Sequence, residues 1–97
     1  MFYVDRLRKQ GTWGARKTYI QSCHLFADDV MQLHWFAVKK LGLKREWFQE
    51  NNIPHYDLTP NKRLLAIKKG AIEVSTREAV ERWKRIKKVW EVERDVD

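Results

Sequence analysis

His24, His34 and His55 are the only histidines in the chain, and two aspartates follow them closely: Asp28 four residues after the first and Asp57 two residues after the last. Two imidazoles facing one phosphate can act as general acid and general base without a metal. A carboxylate beside one of them would fix its tautomer. Arg45, Lys62 and Arg63 offer charge to hold the phosphate, and arginine does so through paired hydrogen bonds. The same three histidines and two aspartates can ligate a divalent ion. No H-x-H or H-x₃-H pair is present, however, so metal ligation ranks third and the expected set of cofactors is empty. The purely structural alternative makes Asp28 a helix cap and His34 a core-edge residue, leaving only the His55–Asp57 corner functional.

That corner opens the most informative stretch, His55 to Glu73. His55, Tyr56 and Asp57 are followed by Thr59, a hydroxyl suited to an N-cap, and by Pro60, suited to the first helical position. Lys62 and Arg63 then fall in the first turn, where the helix dipole disfavours cations. Either a carboxylate such as Asp57 or a bound phosphate on the free backbone N–H groups would resolve the conflict.

The other elements must position these groups. Residues 2–4 read as a strand and residues 5–18 as a glycine-bearing basic loop around Trp13, which either folds back as a lid on the core or stacks on a base. Residues 19–26 read as a strand with Cys23 and Leu25 on one face and Ser22, His24 and Phe26 on the other. Asp28 reads as the cap of a helix ending at Gly42, with Val30, Leu33, Ala37 and Leu41 as its core stripe. Asn51, Asn52 and Pro54 mark a turn. A helix from Pro60 to about Lys69 closes at Gly70, and residues 71–74 form a third strand. Ser75 to Glu78 is a capping box that opens a basic helix to about Arg94, with Val80, Trp83, Ile86 and Trp90 at helical spacing. The expected fold is therefore α+β, or a small α/β, with three short strands, three to four helices and a long C-terminal helix.

The 97 residues suit one domain, 1–97, and 43% hydrophobic content supports a core. No run approaches the ~20 apolar residues of a membrane span, and the N-terminus lacks a signal-peptide h-region. Cys23 is the only cysteine, which excludes an internal disulfide and a multi-cysteine zinc site and fits the cytoplasm. The net charge of +7 favours an anionic partner such as a nucleotide or nucleic acid, although a solvated basic face has the same composition. Phosphate-binding glycine loops, H-E-x-x-H and G-x-S-x-G are all absent from the sequence.

Several stretches carry a resemblance: YVD (Tyr3 to Asp5), CHLFAD (Cys23 to Asp28), LHWFA (Leu33 to Ala37), LGLKREWFQ (Leu41 to Gln49) and HYDLTPNKRLLAIKKGAIEV (His55 to Val74), followed by Arg77. With them the chain resembles the uncharacterised bacterial and phage family labelled domain of unknown function 4031. The likeness spans about residues 1–77 and leaves the C-terminal helix, about 76–94, as an extension suited to homo-oligomer contacts. It implies a shared polar and aromatic pattern that includes Cys23, His24, Asp28, His34, Arg45, Trp47, Gln49, His55, Tyr56, Asp57, Lys62 and Arg63. The family's occurrence in phages suggests, by association, an accessory protein acting against the host.

The leading expectation is a small cytoplasmic protein that binds an anionic, nucleotide-like ligand, such as a host immune signal sequestered by a phage protein. Arg45, Trp47, Gln49, Tyr56, Thr59, Lys62 and Arg63 would form the binding set. The second expectation is a metal-free phosphodiesterase using His24, His34, His55 and Asp57. The third is a basic nucleic-acid-binding domain using the Trp13 loop and the last helix.

Overall fold

The computed structural model describes residues 1–13, 18–50 and 53–95, with side chains described except at 9–13, 18–20 and 93–95. The strands are β1 (Phe2–Val4), β2 (Arg8–Trp13), β3 (Thr18–Ala27), β4 (Tyr56–Leu58) and β5 (Ile72–Glu73). The helices are α1 (Val30–Trp35), α2 (Pro60–Lys68) and α3 (Thr76–Asp95). The α+β class and the long C-terminal helix are as the sequence indicates, but the sheet has five strands rather than three. The two extra strands have a simple explanation. β2, RKQGTW, lacks apolar alternation and owes its conformation to antiparallel pairing with β3. β4, YDL, is too short to stand out by pattern.

β3 is the axis of the sheet. Its C-terminal half pairs antiparallel with β1 (Tyr3↔Phe26, Val4↔Leu25) and with β4 (His24↔Asp57, Leu25↔Tyr56). β5 lies parallel to β1 on the outside. Because side chains alternate along a strand, the two faces collect different residues. One face carries Val4, Cys23, Leu25, Tyr56 and Leu58 and is covered by Leu33, Phe36, Ala37, Leu41 and Ala66. The opposite face carries Tyr3 and Phe26 and is covered by Ala79, Trp83 and Ile86 of α3. Each fully buried leucine in such a layer contributes about 1.5–3 kcal/mol. Val80, expected on the buried stripe of α3, is instead exposed, and Ala79 takes its place.

Helix ends fix the connections. Asp29, not Asp28, caps α1, accepting from the Met31 N–H at 2.9 Å. Asp28 is one residue too early and accepts from the Tyr3 hydroxyl at 3.1 Å. After Trp35 the coil widens into a π-helical turn, Phe36–Lys40, closed by Leu41 N–H donating to the Phe36 carbonyl and stopped at Gly42 with φ +71°. Thr59 caps α2 by accepting from the Lys62 N–H, and Pro60 takes the first position. Ser75 caps α3 through the Glu78 N–H. Gly14, Arg16, Lys17, Asn51 and Asn52, and the side chain of Trp13, lie outside what is described. Among the described residues no helix is long and apolar enough to cross a membrane.

Candidate functional site

The face under α3 holds a polar row in an otherwise apolar layer. Asp5, one residue past β1, donates its N–H to the His24 carbonyl, and Asp57 of β4 is the registered partner of His24 on the other side. Three neighbouring strands therefore present Asp5, His24 and Asp57 side by side. His55 precedes β4 and, two residues from Asp57, shares its face. Paired N–H···O=C bonds between His55 and Gln49, both 2.9 Å, fix the backbone there.

Asp5 is fully buried, and both its carboxylate oxygens serve His24. One accepts from the His24 backbone N–H at 2.6 Å, and the other accepts from Nδ1 at 2.7 Å. An acceptor-only carboxylate at Nδ1 assigns the proton to that nitrogen and leaves Nε2 with its lone pair. His55 is buried and oriented in the same sense, its Nδ1 donating to the Ile53 carbonyl at 2.7 Å. Its Nε2 lies 3.5 Å from Asp57 Oδ1. Gln49 Nε2 donates to the second Asp57 oxygen. The two imidazoles meet edge to face with ring centroids 4.9 Å apart. Trp83 packs against His24 in the same manner at 5.3 Å, and its Nε1 is buried with no hydrogen-bond partner among the described residues.

The electrostatics follow from these contacts. Burial disfavours a charged His55, but the Asp57 carboxylate and the Ile53 carbonyl outweigh it and raise the imidazole pKa. The His55 hydrogen bond holds the Asp57 carboxyl below its ordinary range against the opposing effect of burial, and Gln49 adds to the lowering. His34 behaves in the opposite way: burial, and then the nearby Arg45 charge, lower its pKa.

The structure brings His24, His55 and Asp57 together and leaves His34 apart. In the segment His55-Tyr56-Asp57, alternation turns Tyr56 to the opposite face, where it is buried and its hydroxyl meets His34 Nδ1 at 2.9 Å. His34 also packs edge to face on Phe48. Arg45 lies over the Phe48 ring, 5.1 Å from its centroid. Trp47, 50% exposed, lines a cleft of about 480 Å³ with Glu46, Phe48, Gln49, Asp57 and Thr59. Lys62 reaches away from its own helix start and donates to the Leu41 carbonyl at 2.7 Å, at the end of the preceding helical segment where the dipole favours a cation. Arg63 donates from Nε to the Asp5 carbonyl at 2.9 Å and pairs with Glu73 at 3.2 Å. Both cations thus escape the unfavourable end of α2 through the fold itself.

Asp5 is the residue of this candidate site that is missing from the site candidates read from the sequence, because it stands where a strand gives way to a basic segment. Its signals were its place in the YVD stretch of the family resemblance and a carboxylate directly after the apolar run Phe2-Tyr3-Val4.

A family model described as a protein of unknown function, DUF4031, matches residues 2–86, reaching into α3 past Trp83 and stopping short of Trp90. No curated protein and no solved structure matches the chain.

Proposed function

The chain belongs to the DUF4031 family, and from the geometry of its site we propose that it binds a small nucleotide-like phosphoester and cleaves it at the His24–His55–Asp57 centre. The observation that carries this reading is the meeting of two imidazoles, each held by a partner at Nδ1, beside a carboxylate that also lines a cleft. Such a pair can divide the work of hydrolysis, one imidazole taking a proton from the attacking water and the other giving one to the leaving ester oxygen. Trp47, half exposed on the cleft wall, offers a face on which a base can stack. The excess of cations over anions, 20 against 13, draws such a ligand toward the protein.

Sequestration without turnover is the second reading. It needs the cleft and Trp47 but not both histidines. In either case we place the protein in the cytoplasm, that of the host if it is phage-encoded, with α3 as the surface for self-association. Val89 and Val92 support that last point, being 50% and 63% exposed on the helix.

The test is a panel of cyclic dinucleotides, ADP-ribose derivatives and mononucleotides incubated with the protein, filtered, and resolved by chromatography with mass detection. Hydrolysis predicts a smaller product from one of these classes, lost in His24→Ala and His55→Ala and kept in His34→Ala. A nucleotide retained by the protein and released intact on heating establishes sequestration instead. If every compound passes through unchanged, the small-nucleotide reading falls and a nucleic-acid partner becomes the better reading.

A further inference from the structure

We propose that His24, His55 and Asp57 form a binding site for one divalent first-row transition ion, with Asp5 and the Ile53 carbonyl as the groups that orient its two imidazoles. One ring nitrogen of each histidine and one carboxylate oxygen of Asp57 lie within 4.8 Å of one another. Ligands about 2.0–2.1 Å from a tetrahedral ion stand about 3.3 Å apart. The His55 Nε2 to Asp57 Oδ1 distance of 3.5 Å is already close to that edge. No separation exceeds 4.8 Å, so the widest has to contract by at most about 1.5 Å.

The surroundings of the donors support an ion more strongly than their proximity does. Metal-bound histidines donate their second N–H to a carboxylate or a backbone carbonyl, which fixes the tautomer and presents the other nitrogen. Both forms occur here, Asp5 at His24 Nδ1 and the Ile53 carbonyl at His55 Nδ1. Gln49 orients the third donor in turn through its bond to Asp57. Two imidazoles and one carboxylate with open positions suit zinc or iron(II), whereas magnesium and calcium favour all-oxygen sets.

The N–H of Trp83, on the indole that abuts His24, is buried with no hydrogen-bond partner among the described residues. A further argument rests on the proposed phosphoester chemistry. Among the described residues, those lining the cleft include the carboxylates of Glu46 and Asp57 and no lysine or arginine. An ion on these three ligands would place a cation between an entering phosphoester and Asp57; it would also take up the imidazole lone pairs, so in the occupied site water on the ion, and not an imidazole, would supply the nucleophile.

The site is tested by metal uptake with no phosphoester present, so that it and the proposed hydrolysis can fail separately. The full chain is stripped with a chelator and dialysed against Zn²⁺, and bound metal is measured by elemental analysis. Co²⁺ is then used to record the visible spectrum of the occupied site. The parent should take up one equivalent. Asp57→Asn, which alters the exposed ligand and leaves the core intact, should bind at least 100-fold more weakly, as should His55→Ala. Asp5→Asn should weaken uptake by about 10–100-fold through misorientation of His24. His34→Ala should bind as the parent does. No stoichiometric uptake by the parent, or equal uptake by parent and Asp57→Asn, overturns the proposal, and so does loss of the ion in His34→Ala. An absence of metal would leave the two imidazoles to act as acid and base in the hydrolysis proposed above.

Discussion

Asp5→Asn tests the organisation of the site most directly, because it changes one atom of a fully buried side chain and should invert a tautomer. In the parent, one Asp5 oxygen accepts from the His24 backbone N–H at 2.6 Å and the other from Nδ1 at 2.7 Å. Asparagine has one oxygen and one amide nitrogen. If the oxygen keeps the backbone N–H, the amide N–H₂ faces Nδ1, which must then accept. The proton moves to Nε2, and the lone pair that could ligate or take a proton is lost. Both charge-assisted hydrogen bonds are replaced by neutral ones, a loss on the order of 2 kcal/mol in all. For a domain of this size that loss corresponds to a fall in Tm on the order of 10 °C. The functional cost is larger, since an aspartate-to-asparagine change that inverts the tautomer of a catalytic histidine lowers turnover by roughly 10⁴-fold in a well-studied triad. The assay is long-range ¹H–¹⁵N correlation of the imidazole nitrogens in metal-free protein, alongside urea unfolding. The variant should show His24 protonated at Nε2 and a lowered denaturation midpoint. A His24 still protonated at Nδ1, with stability unchanged, would refute this account of how Asp5 acts.

Two further outcomes follow from the opposite face. His34 has a folded pKa below its ordinary 6.5, through burial and the Arg45 charge, so the unfolded chain binds the proton more readily. Its contribution to stability is therefore present above pH 6.5 and lost as pH falls through the lower folded value. An NMR titration should place the His34 midpoint below 6.5, and a midpoint above it would count against the packing on Phe48 and Tyr56. Cys23 is buried and its thiol is pushed up from 9.0 to about 12, by burial first and by the Asp5 charge second. The native protein should resist alkylation at pH 8 and react once unfolded in urea. Rapid alkylation of the folded protein at a rate near that of a free thiol would show that the β3 face is open.

Much of the fold was legible in advance, and for local reasons. The caps at Thr59 and Ser75 and the stops at Gly42 and Gly70 depend on backbone chemistry within four residues of each site. The stripe Val30, Leu33, Ala37, Leu41 likewise reports which side of a helix is dry, and the alternation of Cys23 and Leu25 against His24 and Phe26 reports which side chains share a face. β2 was not legible, because its pairing energy comes from β3 and not from its own pattern. The site was legible in part. His55 and Asp57 stand two apart, and on extended backbone that spacing puts both on one face.

The sequence by itself determined the class of the fold, the ends of its helices and the side chains able to do chemistry. Tertiary structure decided which of them meet. Pairing of β3 with β4 sets His24 beside Asp57, thirty-three positions later in the chain, and the course of the chain past β1 delivers Asp5 to the other flank. The same alternation that gathers His55 and Asp57 sends Tyr56 through the sheet and takes His34 with it, so two of the three histidines form a centre and the third does not. Strand register is a long-range property, set by where two apolar faces and a turn come to rest, and no window of neighbouring residues contains it.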